Sequence, residues 1–267
     1  MENEVSSSEN VGRPAAGSWL PPLLGRGIAL LALFVKGFFK DKKGQLLLFV
    51  GLLPVALVIA TNIVPREAYP AQLLYLDIIR LVYGTLLVPL FGLLLGTAAV
   101  SEEIESHTIM QIVSRPVTRT EIVIWRYVAT IVAGSMAAFV ATGIMYIWFG
   151  LVSGIDIGLL VGSWAFLTVC NSVYCAIFML LGIALSRPLF WGVLVVLYEQ
   201  LLGAVFSFIG GAPYSLSAHM SNMGSIFVPF SYHIPGWSSA SSVTLLLVIL
   251  IVCLVMATFL FHRKDLS

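Results

Sequence analysis

Side chains able to do chemistry are few in this chain, and they fall into three groups. The densest is SEEIESHTIMQIVSRPVTRTE, residues 101 to 121, where Glu102, Glu103, Glu105, His107, Arg115, Arg119 and Glu121 crowd between two apolar segments. The second is Glu199, a single carboxyl in the apolar run VLVVLYEQLL. The third is His219, Met220, Met223 and His233, in a segment that holds no Lys, Arg, Asp or Glu. A carboxyl inside an apolar helix could line a translocation path or take up a proton; its alternative is a protonated or hydrogen-bonded group locking helices together, with Tyr198 and Gln200 as neighbours. Thioethers with imidazoles could hold copper, but two of each is a thin donor set. Packing is the expectation there, and no metal site is expected.

Other reactive patterns are missing from the sequence. It has no G-x-x-x-x-G-K-[ST] phosphate loop and no H-E-x-x-H zinc motif. Cys170, Cys175 and Cys253 all lie in apolar runs, and a spacing of five between the first two fits no common metal site. They read as packing residues.

These groups must be positioned by an unusually apolar chain. Of 267 residues, 59% are hydrophobic and 10% charged, against about 25% charged in soluble domains. Mean hydropathy is +1.00. So much apolar surface cannot be hidden in one soluble core, and the bilayer is its natural solvent. A net charge of +1 gives no reason to expect a nucleic-acid partner.

A spanning helix needs roughly 20 mostly apolar residues. Six windows qualify: about 45–64, 78–99, 122–152, 159–185, 189–209 and 243–261. Lipid cannot satisfy open backbone groups, so the spans should be helices, and the expected fold is an all-α integral membrane protein with six spans. Twelve Lys and Arg residues flank one set of span ends, Arg115, Arg119, Arg126, Arg187 and Arg263 among them, and only Arg66 and Arg80 the other. Both termini are therefore expected in the cytoplasm. Residues 1–21 read as a disordered tail. Residues 22–44 read as an amphipathic interfacial helix, with Lys36 and Lys40 on one face. The span domain runs over 45–264. Within it the charge-free, aromatic-rich loop 210–242 is expected to dip into the outer leaflet. Asp77 and Arg80, three apart, should pair and mark the outer end of the second span. Gly92 and Gly96 offer a weak G-x-x-x-G signal for close helix contact.

Within 101–121, Ser101 could cap a new helix whose first turn holds Glu102, Glu103 and Glu105. Alternatively the second span runs on through Ser101. Glu103, His107 and Gln111 are spaced by four, giving one polar stripe. Pro116 forces Arg115 to be extended and ends that helix. Thr118 and Glu121 form a capping box that starts the next one. The result is a helix, a corner and a second helix at the cytoplasmic end. An ordinary loop with caps and basic residues would also satisfy these residues.

At this point the chain resembles the permease subunits of type-two ABC transporters. Glu103 and Glu105 match the acids of a glutamate-rich turn, Thr108 the following threonine, and Pro116, Val117, Thr118 and Arg119 a Pro-Val-Ser-Arg segment. His107 stands where glycine is usual, and the final FHRKDLS is similar to the tail of these permeases. The resemblance implies that residues 101–121 form a coupling helix. Glu102, Glu103, Glu105, His107, Thr108, Gln111, Arg115, Pro116, Thr118 and Arg119 would then meet a separate ATPase subunit. It further implies two copies of that ATPase, which would bind ATP and Mg, and a second permease, identical or similar, in the cell membrane. The chain itself would carry no cofactor and no catalytic residue, and transport would be outward. The rival expectations are a proton-coupled carrier or membrane enzyme built around Glu199, and a structural membrane anchor.

Overall fold

A chain with this pattern must close its backbone hydrogen bonds within each segment, and the structure does so by helices alone. The structure, a computed structural model, describes residues 31, 35–36, 42–60, 70–105, 119–202, 214–230 and 232–263, among which there is no strand. Among the described residues, and apart from the isolated helical positions 31 and 35–36, seven helices follow one another: α1 (Lys42–Ala60), α2, α3 (Arg119–Ser153), α4 (Ile157–Ala184), α5, α6 (Leu216–Gly224) and α7 (Ser239–Arg263). Helix α2 is continuous but changes pitch. It is α-helical over Ala71–Asp77, π-helical over Ile78–Leu87 and α-helical again over Val88–Glu105. Helix α5 is α-helical over Pro188–Leu197 and widens into a π turn over Tyr198–Leu202.

Four helices are long and apolar enough to cross a membrane: Ala71–Ala98 of α2, Thr120–Ser153 of α3, Ile157–Ala184 of α4 and Ser239–Arg263 of α7. The 28 residues of α4 reach about 42 Å at 1.5 Å per residue, beyond the ~30 Å hydrocarbon core. Helices α1 and α5 are apolar but shorter within the described residues.

One detail differs from expectation and one settles an alternative. The second long helix starts at Ala71, not near Ile78, so Asp77 and Arg80 lie inside it. Their pairing, with Arg80 Nη2 3.6 Å from Asp77 Oδ1, lets the helix carry both charges without ending. At its other end α2 runs through Ser101 to Glu105, so Ser101 does not start a new helix. Nothing in LLLGTAAV breaks the turn. The 22–44 segment and the turn at Pro116 lie outside the described residues, save for 31, 35–36 and the start of α1.

Helix α4 is the centre. It is the most buried of the four long helices and packs on α2, α3, α5 and α7. Small residues set its distance from α2. A methyl group at Gly92 would lie 2.7 Å from Tyr174 Cβ, one at Gly96 2.8 Å from Phe178 Cβ, and one at Gly182 2.9 Å from the Thr97 carbonyl oxygen. The Gly92–Gly96 spacing is therefore the seam itself. Polar side chains tie α4 to α3: Asn171 Nδ2 donates to the Ile131 carbonyl at 3.1 Å, and Tyr127 donates to the Ser172 carbonyl at 3.0 Å. Gly134 makes room for the Asn171 amide.

The bundle has two unlike ends. The start of α3, the α4–α5 turn and the end of α7 bring Arg126, Arg187 and Arg263 to one end. At the other end Arg80 is the only Lys or Arg among the described residues, and it is paired with Asp77. Glu199, Asp156 and helix α6 also lie toward that far end, where α6 packs on the π segment of α2 and the start of α7.

Candidate functional site

The far end holds the buried polar cluster of the described chain, and the geometry begins with helix α6. A nine-residue helix exposes four amide N–H groups at its start. In water they would be solvated; α6 is buried from Ala218 to Gly224, so each needs a partner. The Glu199 carboxylate supplies two. Leu216 N donates to its Oε1 at 3.0 Å, and Ser217 N to its Oε2 at 3.1 Å. The N-cap Ser215 supplies the rest: Ala218 N reaches Ser215 Oγ at 3.4 Å and His219 N reaches the Ser215 carbonyl at 3.3 Å. The Ser215 hydroxyl in turn donates to Glu199 Oε2 at 3.0 Å. The amides of Leu216, Ser217 and Ala218 are thus capped, two of them by a side chain from another helix, while His219 N makes the first intrahelical bond.

Glu199 can do this because of where the π turn puts it. The wider turn over Tyr198–Leu202 sends Glu199 and Gln200 toward different helices. Gln200 Nε2 donates to the Thr85 carbonyl of α2. That carbonyl lies in the π segment of α2, four residues before Pro89. Thus two consecutive side chains of α5 reach backbone groups of two other helices, the amides at the start of α6 and a carbonyl of α2. Glu199 itself is 7% exposed. A buried carboxylate accepting three donors contributes through charge-assisted bonds, each of order 1.5–3 kcal/mol, against the cost of desolvating the charge.

The far side of α6 is tied to α7. Asn222 Nδ2 donates to Ser242 Oγ at 2.9 Å and toward the Ser238 and Trp237 carbonyls at 3.3 and 3.4 Å. His219 Nδ1 lies 3.1 Å from the same Ser242 hydroxyl, and its ring stands edge-on to Trp237 at 4.7 Å. Met220 and Met223 are buried, whereas His233 is exposed. The structure therefore puts His219 and the two methionines into side-chain packing and leaves His233 apart from them. At the rim the Arg80 guanidinium lies 5.2 Å from the Tyr232 ring centroid. Burial raises the Tyr232 phenol pKa above its ordinary value, and the Arg80 charge pulls the other way.

Of the predicted coupling residues, only Glu102, Glu103, Glu105 and Arg119 fall among the described residues, at the opposite, basic end. The backbone of Glu102, Glu103 and Glu105 forms the last turn of α2, and Arg119 opens α3. His107, Thr108, Gln111, Arg115, Pro116 and Thr118 lie outside the described residues. Glu199 is far from them along the bundle: the α5 turn that holds it meets Thr85, twenty residues before Glu105 in α2. The sequence reading missed Ser215, Asn222 and Ser242. Ser215 had a signal, as a serine before the apolar-start helix LSAHM. Asn222 and Ser242 had none, because their pairing depends on how α6 folds back on α7.

Residues 36–266 match the profile of the family described as ABC-2 family transporter protein. The chain belongs to this family. No curated protein matches it. As an ABC-2 family member with four long apolar helices, the chain is a multi-pass membrane protein and a membrane component of an ABC transporter. The family match begins at Lys36 and ends at Leu266, so it takes in both the basic end with residues 101–121 and the far-end cluster around Glu199.

Proposed function

We propose that this chain is the permease subunit of an ATP-driven exporter, with six spans and both termini in the cytoplasm of the cell that carries it. Helices α1 and α5 would complete the six by continuing beyond their described residues. Two ATPase subunits binding ATP and Mg would dock at the basic end, and two permease chains, identical or similar, would enclose the substrate path. ATP-driven closure of the ATPases would push on residues 101–121, and α2 and α3, which start and end that segment, would carry the movement into the membrane.

The observation that carries this reading is the family match over 36–266, joined to a sequence without a phosphate loop of its own. The concentration of Arg126, Arg187 and Arg263 at one end supports the orientation. The carrier reading centred on Glu199 is weakened by geometry, since both carboxylate oxygens are already engaged by α6.

The test is co-purification with the cognate ATPase and its ATPase rate in nanodiscs. Glu103→Lys, or deletion of Thr108 to Val113, should uncouple substrate stimulation from a folded complex. Transport by the isolated chain with no ATPase would sink the proposal. Glu199→Gln should not abolish transport at every pH in the way a proton carrier requires.

A further inference from the structure

We propose that Glu199 is a latch: a side chain of α5 that caps α6 in trans, so that the turn at Tyr198–Leu202 and the start of α6 move as one body, and α6 comes away from α5 only when that cap breaks.

Three observations converge on it. The first is that the cap is complete. Between them Glu199 and Ser215 accept from the amides of Leu216, Ser217 and Ala218, the three in α6 that have no acceptor within the helix. The second is that α6 is otherwise fastened to a different helix. Its Asn222 and His219 hold the start of α7 through Ser242, whereas Glu199 ties it to α5 with three hydrogen bonds. Removing that one carboxylate therefore loosens α5 from the α6–α7 unit without touching the bonds inside the unit. The third is that the opposite side of the same turn is fixed. Gln200 holds the Thr85 carbonyl of α2, so the α5 turn has one anchor on the core and one on α6.

The chemistry favours a breakable tie. The bonds run from N–H and O–H donors to one carboxylate, and neither oxygen of Glu199 contacts a lysine or arginine among the described residues. The tie is thus strong while its three bonds persist together and weak once they part. The link to transport, that opening of the far end uses this break, rests on the permease reading above; the latch itself does not.

Hydrogen–deuterium exchange of the full chain in nanodiscs separates the two. In the isolated chain, Glu199→Ala should speed amide exchange at residues 216–218 by at least about tenfold, the factor that 1.4 kcal/mol gives. Exchange across Ile157–Ala184 should stay at the wild-type rate, which a general loss of stability would not permit. Glu199→Gln keeps the size but offers one acceptor oxygen in place of two, so it should give a smaller rise at the same residues. Should Glu199→Ala not fold, Glu199→Gln alone decides the matter. Rates at 216–218 within twofold of wild type, in whichever variant folds, would overturn the latch, as would equal acceleration in α4. The gate is read in the complex with its ATPase: trapping ATP should raise exchange at 216–218 in the wild type. No rise there would overturn the gate. Failure to bind an ATPase at all would overturn the permease reading while leaving the isolated-chain result to stand.

Discussion

Asn222 shows how much a single buried amide can decide. It is fully buried, its Nδ2 points at one hydroxyl and two carbonyls, and its Oδ1 has no partner among the described residues. Only the donor half of the side chain is used. Asn222→Ala should lower thermal stability by about 1–3 kcal/mol through the lost bonds to Ser242 Oγ and the Trp237 carbonyl. Asn222→Asp should cost more, despite its closer shape, because it brings a carboxylate up to two carbonyl oxygens with no N–H to offer them. Detergent-phase thermal unfolding with a fluorescent size-exclusion readout ranks the two, and an Asp variant as stable as wild type would contradict the donor role. At this scale the sequence was partly readable. A carboxyl inside VLVVLYEQLL stands out because desolvation makes it costly, and the structure gives it partners. Those partners were hidden, since two are backbone amides and the third is a serine 16 residues away, and amide vacancies leave no mark on residue type.

Among elements, the apolar windows, the helical state and the close α2–α4 contact were legible, because length and small-residue spacing are local properties. The ten-residue π segment of α2 was not. A widened pitch depends on what surrounds the helix, and Pro89 by itself predicts only a kink or break. Gln200 donates to the Thr85 carbonyl, four residues before Pro89, and would offset the missing proline N–H if that carbonyl is the one left open. A double-mutant cycle checks it. Gln200→Leu should destabilise the wild type by about 1 kcal/mol, but have much less effect in a Pro89→Ala background, where the restored N–H can serve. Equal effects in both backgrounds would remove the link. The glycine seam makes a second, independent prediction. Gly96→Ala puts a methyl 2.8 Å from Phe178 Cβ and 3.1 Å from the Cys175 carbonyl, and should cost about 1–3 kcal/mol in thermal unfolding. Gly150→Ala, in α3 with nothing within 4 Å of the added methyl, should be neutral or stabilising by about 0.5–1 kcal/mol. Similar melting points for the two variants would mean that α2 and α4 do not meet through Gly96.

For the molecule as a whole, the question is which helices cross from one end to the other, and the register of α5 against α2 answers for α5. Gly192 abuts Leu93, so that a methyl there would collide with it, and Gln200 meets Thr85. Eight residues along α5 (192 to 200) thus match eight along α2 (93 to 85) in reverse, which makes them antiparallel and brings the last turn of α5 to the far end. The last turn of α5, helix α6 and the start of α7 thus lie at the same end, as the proposed six-span arrangement requires of a crossing α5. Helix parity then places the α4–α5 turn and the end of α7 together, and the end of α3 and the loop before α7 together. Single cysteines at exposed positions test this in a background lacking Cys170, Cys175 and Cys253. Ser153→Cys and His233→Cys should react with a membrane-impermeant maleimide on intact cells. Ser186→Cys and His262→Cys should react only after the cells are opened if, as proposed, the basic end faces inward. If Ser186→Cys were labelled from outside together with Ser153→Cys, α4 would not cross the bilayer. If Ser186→Cys and His233→Cys instead shared a side, α5 would not cross. In that case the two-ended arrangement that sets Glu199 far from residues 101–121 would fail with it.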